Sequence, residues 1–179
     1  HIPRLELGDY LIGRYEVSNR EYQRFVAAGG YRDSTYWQEP FVRDGKVIPW
    51  AEAARSFVDR TDRPGPATWE AGDYPADRGD YPVSGISWYE AAAYAEFAGK
   101  ELPTMVHWRL GSSLTVAVDW LNRPSFAFMG GVANFSGEGP RDTKASPVPD
   151  AFGTFDMAGN VREWCWNPSN VGRVLRGGA

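Results

Sequence analysis

Apolar residues recur at helical spacing after two serines, and each serine begins a capping signal. Ser18 is followed three positions later by Glu21, and Ser87 is followed in the same way by Glu90, which is the spacing of a capping box. Apolar side chains then recur every three or four residues in both segments. The pattern therefore predicts two main helices, each ending at glycine.

Shorter elements are predicted between and after these helices. A third helix is expected after Pro49, and Thr104 caps a short helical turn that carries His107. The stretches 59–83 and 122–153 have no periodicity and predict long loops. Short runs of β-branched and aromatic residues predict three strands, namely Tyr10–Val17, Val161–Trp166 and Arg173–Arg176.

Composition supports a loop-rich α+β domain. The 179 residues include 20 glycines and 13 prolines, well above the average share of about 12% for the two together, so much of the chain should be turn and irregular loop. Eight tryptophans are available to pack against those loops. The length fits one domain over residues 1–179, and we interpret the chain as part of a longer polypeptide.

Charge and hydropathy exclude two classes of partner at this stage. The net charge is −4 and no cluster of Lys and Arg stands out, which argues against nucleic acid. No apolar run approaches the length of about eighteen residues that a membrane span needs. The single cysteine leaves the compartment open, and we favour the cytoplasm.

The rare metal-binding side chains restrict the chemistry further. Cys165 is the only cysteine, and His1 and His107 are the only histidines, so this chain alone makes neither an internal disulfide nor a site with several Cys or three His ligands. Cys165 lies between two tryptophans on a predicted strand, where a cysteine usually acts as a small hydrophobic residue. His107 is interpreted as a surface or packing residue.

Six ordered blocks carry a specific resemblance that runs from residue 10 to residue 179. They are R-Y-E-V-S-N-R-E-Y at 14–22, Y-P-V-S-G-I-S-W-Y-E-A at 81–91, L-P-T at 102–104 followed by Trp108, A-N-F at 133–135, F-D-M-A-G-N-V-R-E-W at 155–164 and R-V-L-R-G-G at 173–178. In this order the chain resembles the formylglycine-generating enzyme family, also called the sulfatase-modifying-factor domain. The resemblance implies a C-type-lectin-like fold, with a small twisted antiparallel sheet, two main helices and extensive irregular loops.

The block at 155–164 suggests a site for a hard cation. Asp156 and Glu163 flank a glycine turn, and carboxylates with turn carbonyls suit calcium. The resemblance implies a calcium site made by the side chains of Asp156 and Glu163 with the carbonyl groups of Gly159 and Val161. The alternative is a turn leading into a strand, with Glu163 paired to a neighbouring arginine.

A second calcium site is implied at the block around residue 134. Its ligands would be Asn134, the carbonyl of Phe135 and an aspartate further along the chain. Alignment places Pro140 where the family has that aspartate, and Asp142 is the candidate replacement. The alternative is an ordinary polar loop.

The chain lacks the residues that the family uses for catalysis. The family oxidises a cysteine in a C-x-P-x-R peptide to formylglycine, with O2 and a copper ion held by two thiolates that follow the R-G-G block. The printed sequence reaches Ala179 directly after that block and contains neither cysteine. We therefore assign no catalytic residue within these 179 residues.

Two tryptophans in predicted loops are candidates for a ligand groove. Trp37 and Trp69 lie outside the predicted helices and strands, although most tryptophans in such a fold belong to the core. The segments 37–50 and 63–69 and the ending E-W-C-W-N at 163–167 resemble a bacterial branch of the family that is often fused to a serine/threonine kinase domain.

Three functions follow as hypotheses. The first is a non-catalytic, calcium-stabilised binding or regulatory module for a peptide, protein or glycan. The alternative is a copper-dependent formylglycine-generating oxidase acting on sulfatase cysteines, with its cysteine pair beyond Ala179. A weaker alternative is a variable display protein on the same fold.

Overall fold

The structure is a computed structural model that describes residues 7–112, 134, 139–147, 149–150, 152–170 and 172–178. Both capping boxes form as the sequence predicts. Helix α1 spans Asn19–Ala27 and helix α3 spans Trp88–Phe97, and in each the N-cap serine and the third-residue glutamate exchange hydrogen bonds with the opposite backbone. Residue 30 must be glycine because a Cβ atom there would lie 2.0 Å from the ring of Phe25.

The other predicted helices also form, one of them shorter than expected. Helix α2 spans only Trp50–Ala53 and tightens into a 3₁₀ turn over Ala54–Ser56. Helix α4 spans Met105–Gly111, and the side chain of Thr104 caps it by accepting a hydrogen bond from the backbone of His107. The four helices of the described residues thus match the four that the pattern predicts.

Two of the three predicted strands form a hairpin. Strand β3 spans Arg162–Ser169 and pairs antiparallel with strand β4 over Gly172–Gly177, and the register shifts at a bulge between Trp164 and Pro168. Residue 177 lies where β4 passes the turn before β3. A Cβ atom there would lie 2.8 Å from the carbonyl oxygen of Met157, so only glycine fits at this crossing.

The predicted strand Tyr10–Val17 is wrong. Residues 10–17 form no strand, and the first ladder contact is a single bridge between Ser18 and Pro82. The segment is held instead by separate bonds, such as the one that the amide of Phe155 donates to the carbonyl of Arg14. Without a neighbouring strand in the described residues, the alternation of side chains has no ladder to join.

A hairpin that the pattern analysis did not predict lies before α2. Strand β1 (Phe41–Arg43) pairs with strand β2 (Lys46–Ile48). Asp44 and Gly45 make the turn, and both have positive φ angles, of 52° and 75°. An Asp-Gly pair with this geometry is a strong hairpin signal.

The main core is aromatic and lies between α1, α3 and the segment 31–74. Its fully buried centre is Tyr22, Phe25 and Trp69, whose rings meet largely edge to face. A smaller core consists of Trp108 from α4, Met157 from the turn before β3, and Cys165 from β3 itself. These two clusters place the polar turn before β3 at the edge of the smaller core.

The predicted loop at 59–83 is confirmed, because it contains only isolated bridges. Asp59 holds it: its carboxylate accepts hydrogen bonds from the amides of Thr61, Arg63 and Gly72. Most of the predicted loop at 122–153 lies outside the described residues. In the described part of the chain, no helix combines the length and the apolar character that crossing a bilayer requires.

Candidate functional site

The turn before β3 gathers the residues predicted to bind calcium. Asp156 and Asn160 both adopt positive φ angles, of 54° and 63°, and the amide of Gly159 donates to the carbonyl of Asp156 at 3.0 Å. This tight turn places Asp156, Gly159 and Val161 within one loop and delivers the chain into β3, where Glu163 follows. The predicted calcium ligands thus lie on the turn and at the start of β3, and their role stays a prediction.

Asp156 is buried and faces an arginine. Its side chain is only 1% exposed, and its Oδ1 accepts from Arg141 Nη2 at 2.6 Å and from Ser146 Oγ at 2.9 Å. Two buried polar atoms of this pair, Asp156 Oδ2 and Arg141 Nε, have no hydrogen-bond partner among the residues that the structure describes. Burial without a partner is costly, so this carboxylate retains unused capacity for a donor or a cation.

Asn160 joins the turn to three distant segments. Its Nδ2 donates to Glu16 Oε2 at 2.7 Å and to the carbonyl of Arg141 at 3.2 Å. Its Oδ1 accepts from the amide of Arg141 at 2.8 Å and from Asn134 Nδ2 at 3.0 Å. One side chain thus uses its full hydrogen-bonding capacity to hold residues 16, 134 and 141 against the turn.

Carboxyl groups of raised pKa surround this turn. Burial raises the pKa of Glu16 to about 8, and the charges of Glu163 and Asp156 add to the effect. Burial also raises the pKa of Glu163 to about 7, although a hydrogen bond from the indole of Trp108 opposes the shift. The pKa of Asp150 rises to about 6 for the same reason, with a further contribution from Asp156.

Burial is the main cause of each shift, and the negative charges of neighbouring carboxylates add to it. A divalent cation would favour the ionised carboxylates and lower their pKa values. The unpartnered Asp156 Oδ2 and the oxygen-rich turn fit calcium, which binds carboxylate and carbonyl oxygens. In the described ranges, however, no three His, Cys, Asp or Glu side chains converge closely enough to hold a metal ion by themselves.

The predicted second calcium site is only partly described. Asn134 Nδ2 donates to Asn160 Oδ1 at 3.0 Å and to the carbonyl of Gly139 at 2.9 Å. Its side-chain amide therefore links residue 134 to the turn before β3. Asp142 accepts from the amide of Lys144 at 2.7 Å and caps its own turn. Phe135 lies outside the described residues.

The two tryptophans predicted for a groove have different positions. Trp69 is completely buried and donates from Nε1 to Asn19 Oδ1 at 2.9 Å, so the expectation that it lines a groove is corrected: it is a core residue. Trp37 is also largely buried, stacked on Phe57, but one edge of it lines an open cleft. Loop position in the sequence did not indicate exposure, because these loops fold over the core.

This cleft has a volume of about 520 Å³ and lies between α3, the start of α4 and β3. One wall carries Trp37 and Tyr89, and Trp166, which is 41% exposed, stands at the rim. Carboxylates of Glu39, Glu96 and Glu101 also line it, together with the cations or potential cations Lys100 and His107.

Arg173 contacts two of the residues that line the cleft, Glu39 and Trp166. Its guanidinium carbon lies 3.6 Å from the ring centre of Trp88, and Nη1 donates to the carbonyl of Trp166 at 2.8 Å. Glu39 faces the same guanidinium group at 3.8 Å. The arrangement shows that aromatic faces and a carboxylate in this part of the molecule accommodate a guanidinium group.

A second cavity, of about 530 Å³, lies on the other side of α3. Apolar side chains such as Ile86 and Leu175 form most of its wall, and Glu16 and Glu163 border it. It therefore adjoins the polar turn, and it shares the wall residues Lys100, Glu101 and Leu102 with the aromatic cleft.

The remaining candidate side chains are occupied. Cys165 is fully buried, and burial, with a smaller contribution from Glu163, raises the pKa of its thiol to about 11. His107 Nδ1 is bonded to the hydroxyl of Thr104 at 2.8 Å. Both positions agree with the interpretation of these residues as structural.

Sequence reasoning missed four residues of the site, namely Glu16, Arg141, Asp150 and Asn160. Glu16 and Asn160 stand inside two of the quoted blocks, so an acid and an amide at those positions were a usable signal. Arg141 and Asp150 lie in a stretch without periodicity, and nothing local in the sequence indicates that they approach Asp156.

Comparison with known proteins gives consistent matches. A family profile described as the sulfatase-modifying factor enzyme 1-like domain matches residues 3–179. A formylglycine-generating enzyme from Thermomonospora curvata is 32% identical over 90% of this chain and 60% of its own length. A hercynine oxygenase from Mycobacterium tuberculosis is 29% identical over 89% of this chain and 38% of its own.

A third relative is named as a protein kinase. The serine/threonine-protein kinase pkn1 of Chlamydia pneumoniae is 30% identical over 92% of this chain and 23% of its own length. The chain thus spans less than two thirds of each of these relatives.

Proposed function

The chain belongs to the family of sulfatase-modifying factor enzyme 1-like domains, and from that premise we propose that it is a calcium-stabilised binding module that takes a peptide in its aromatic cleft. In this proposal the helices and small antiparallel hairpins belong to a C-type-lectin-like arrangement. The observation that carries the proposal is the cleft of about 520 Å³ with the exposed Trp166 at its rim.

The chemistry of the cleft favours a peptide with a basic residue. Three glutamates line it against one lysine and one histidine, and its aromatic walls suit a cationic side chain. Arg173 is a precedent beside the cleft, because its guanidinium group lies on Trp88 and within 3.8 Å of Glu39. A cleft of this size lies in the range of small-ligand sites, so it accepts a few residues of a peptide.

Binding is tested by titrating the protein with a Cys-Thr-Pro-Ser-Arg peptide and following tryptophan fluorescence. We expect saturable binding that weakens when citrulline, which is neutral and of similar shape, replaces the arginine. Trp166→Ala should weaken binding, and Leu11→Ala, at a fully exposed position away from the cleft, should not. Equal binding of the arginine and citrulline peptides would contradict the charge argument.

Calcium is proposed at the turn before β3. The side chains of Asp156 and Glu163 and the carbonyl groups of Gly159 and Val161 would hold it, and the unpartnered Asp156 Oδ2 supports this assignment. When bound, the ion would offset the negative charge of the surrounding carboxylates. Its role there is to stabilise the turn.

Melting measured in EDTA and in excess calcium tests this assignment. At a hundredfold excess over its dissociation constant a ligand stabilises the native state by about 2.7 kcal/mol. For a domain of this size that corresponds to a rise in Tm of roughly 5–10 °C. Asp156→Ala should reduce the rise, and Asp142→Ala serves as the control because Asp142 caps a separate turn. An unchanged wild-type Tm would contradict the calcium proposal.

A second candidate function is catalysis, and the names of two relatives favour it. One is a formylglycine-generating enzyme and another is a hercynine oxygenase. Copper chemistry of the first kind needs two thiolates. The residues present do not fit copper, since the sequence has one cysteine and its thiol is buried with a raised pKa.

The same peptide separates the two functions. Mass spectrometry after incubation of the peptide with O2, copper and the full-length protein detects conversion of the peptide cysteine to formylglycine. Binding without conversion supports the non-catalytic module, and conversion would support the enzyme instead. A Ser-Thr-Pro-Ser-Arg peptide is the control that binds without offering a thiol.

A further inference from the structure

The ion pair between Arg141 and Asp156 occupies the carboxylate that the proposed calcium ion needs. Arg141 Nη2 lies 2.6 Å from Asp156 Oδ1 and 2.6 Å from Ser146 Oγ, so the guanidinium group is placed by two contacts. Ser146 also donates to the same Asp156 oxygen. A buried carboxylate has room for few cations, and this one already faces a cation from its own chain.

The two partners differ in their freedom to move. The side chain of Asp156 is 1% exposed and sits in a turn of positive φ, whereas the side chain of Arg141 is 29% exposed. The backbone of Arg141 is fixed, because its amide and carbonyl groups both bond to Asn160. The guanidinium group can therefore leave toward solvent while its backbone stays on the turn.

The pair is also imperfectly satisfied. Arg141 Nε and Asp156 Oδ2 are both buried without a hydrogen-bond partner. Departure of the guanidinium group would hydrate the first atom, and a metal ion would engage the second. Two of the unsatisfied buried atoms in the described residues belong to this pair, so the turn is weakest at the contact that an incoming cation must replace.

We propose that Arg141 is a built-in cation that competes with calcium for Asp156: it holds the turn together when calcium is absent and is displaced when calcium binds. This inference rests on the calcium assignment of the proposed function. Competition of this kind lowers the calcium affinity of the wild-type chain and reduces the loss of stability when calcium is removed.

Removal of the guanidinium group tests the proposal in two ways. Calorimetric titration with calcium chloride should show that Arg141→Gln binds calcium more tightly than the wild type, by about 5- to 150-fold, the range of ordinary coupling between two ligands. In EDTA the same variant should melt at a lower temperature than the wild type, and calcium should raise its Tm by more. Arg141→Lys keeps the positive charge on a shorter side chain, so its calcium affinity and its Tm in EDTA should lie between those of the wild type and Arg141→Gln.

The wild type itself provides a readout that does not depend on a variant's folding. NMR of the arginine Nε–H groups should show the Arg141 signal, identified by its loss in Arg141→Lys, shifting as calcium is added. A control signal from Arg43, whose exposed pair with Glu52 lies elsewhere, should not move.

The outcomes distinguish this inference from the proposed function. Equal calcium affinities for the wild type and Arg141→Gln, with an unmoved Arg141 signal, would overturn the competition and leave the calcium site standing. Absence of calcium binding in the wild type and in both variants would overturn the calcium assignment, and the competition with it.

Discussion

The aromatic core and the polar turn are built from opposite kinds of contact. The core between α1 and α3 consists of large aromatic rings, whose packing does not depend on hydrogen bonds. Its two helices are specified by capping and periodicity signals that lie three or four residues apart in the sequence. The turn before β3 depends on Asn160, which bonds to Glu16 from 144 positions away in the chain. The difference teaches that one half of this domain is specified locally and the other only when distant segments meet.

The largest expected effect lies in the aromatic core. Trp69→Ala should lower the free energy of unfolding by about 3–5 kcal/mol, because it removes a completely buried indole and leaves Asn19 Oδ1 without its donor. Chemical denaturation measures the loss. The partly exposed Trp166 is the matched control, and its alanine variant should lose less than about 1 kcal/mol. Equal losses would mean that the core does not dominate stability.

The polar turn should respond less strongly but more selectively. Asn160→Ala should cost about 2–3 kcal/mol, since it removes the side-chain partner of buried Glu16 Oε2 and of the amide of Arg141. Asn160→Gly removes the same bonds but tolerates the φ of 63°, so it isolates the loss of the side-chain bonds, and the difference between the two variants gives the backbone contribution. Denaturation in EDTA gives both values, and a loss below about 0.5 kcal/mol in either variant would contradict the role of this amide.

The helix caps should contribute still less. Ser18→Ala and Ser87→Ala each remove one side of a capping box, and each should cost about 1 kcal/mol. Thr35→Ala is the control, because this hydroxyl bonds to Asp33 on an exposed turn that no long helix depends on. A cost near zero for both serines would show that tertiary packing alone holds α1 and α3.

Two carboxyl groups sharpen the comparison through pH. Burial would raise the pKa of Asp59, but hydrogen bonds from Gly72 and Thr61 lower it to about 2, so its contribution is present above pH 4 and lost as the pH falls toward 2. Burial raises the pKa of Glu90 above its ordinary 4.5, so its contribution is present below pH 4.5 and lost as the pH rises.

The two matched amide variants separate these contributions. Asp59→Asn should flatten the acid side of the stability profile, and Glu90→Gln should flatten the decline toward neutral pH. Urea denaturation at several pH values measures both. The same slope in wild type and variant would contradict the assignment for that residue.

The accuracy of sequence-based prediction follows the same division. Ser18 and Ser87 predict their helices correctly because a capping box involves only four consecutive residues. The segment Tyr10–Val17 has the alternation of a strand, but a strand needs a partner, and the described residues provide none beyond the bridge at Ser18. The Asp44-Gly45 pair is a local sequence signal for the β1–β2 hairpin, but it lies outside the hydrophobic pattern from which the strands were predicted. Arg141 and Asp150 had no such signal, since their meeting with Asp156 depends on how loops fold over the smaller core.

The burial of Cys165 has a practical consequence for labelling studies. Its thiol on β3 is completely buried, and burial raises its pKa to about 11, so thiol-directed reagents should spare it near neutral pH. A cysteine introduced at an exposed position such as Phe152 would then be the single reactive thiol on these 179 residues. Spectroscopic probes can be attached there without first removing the natural cysteine.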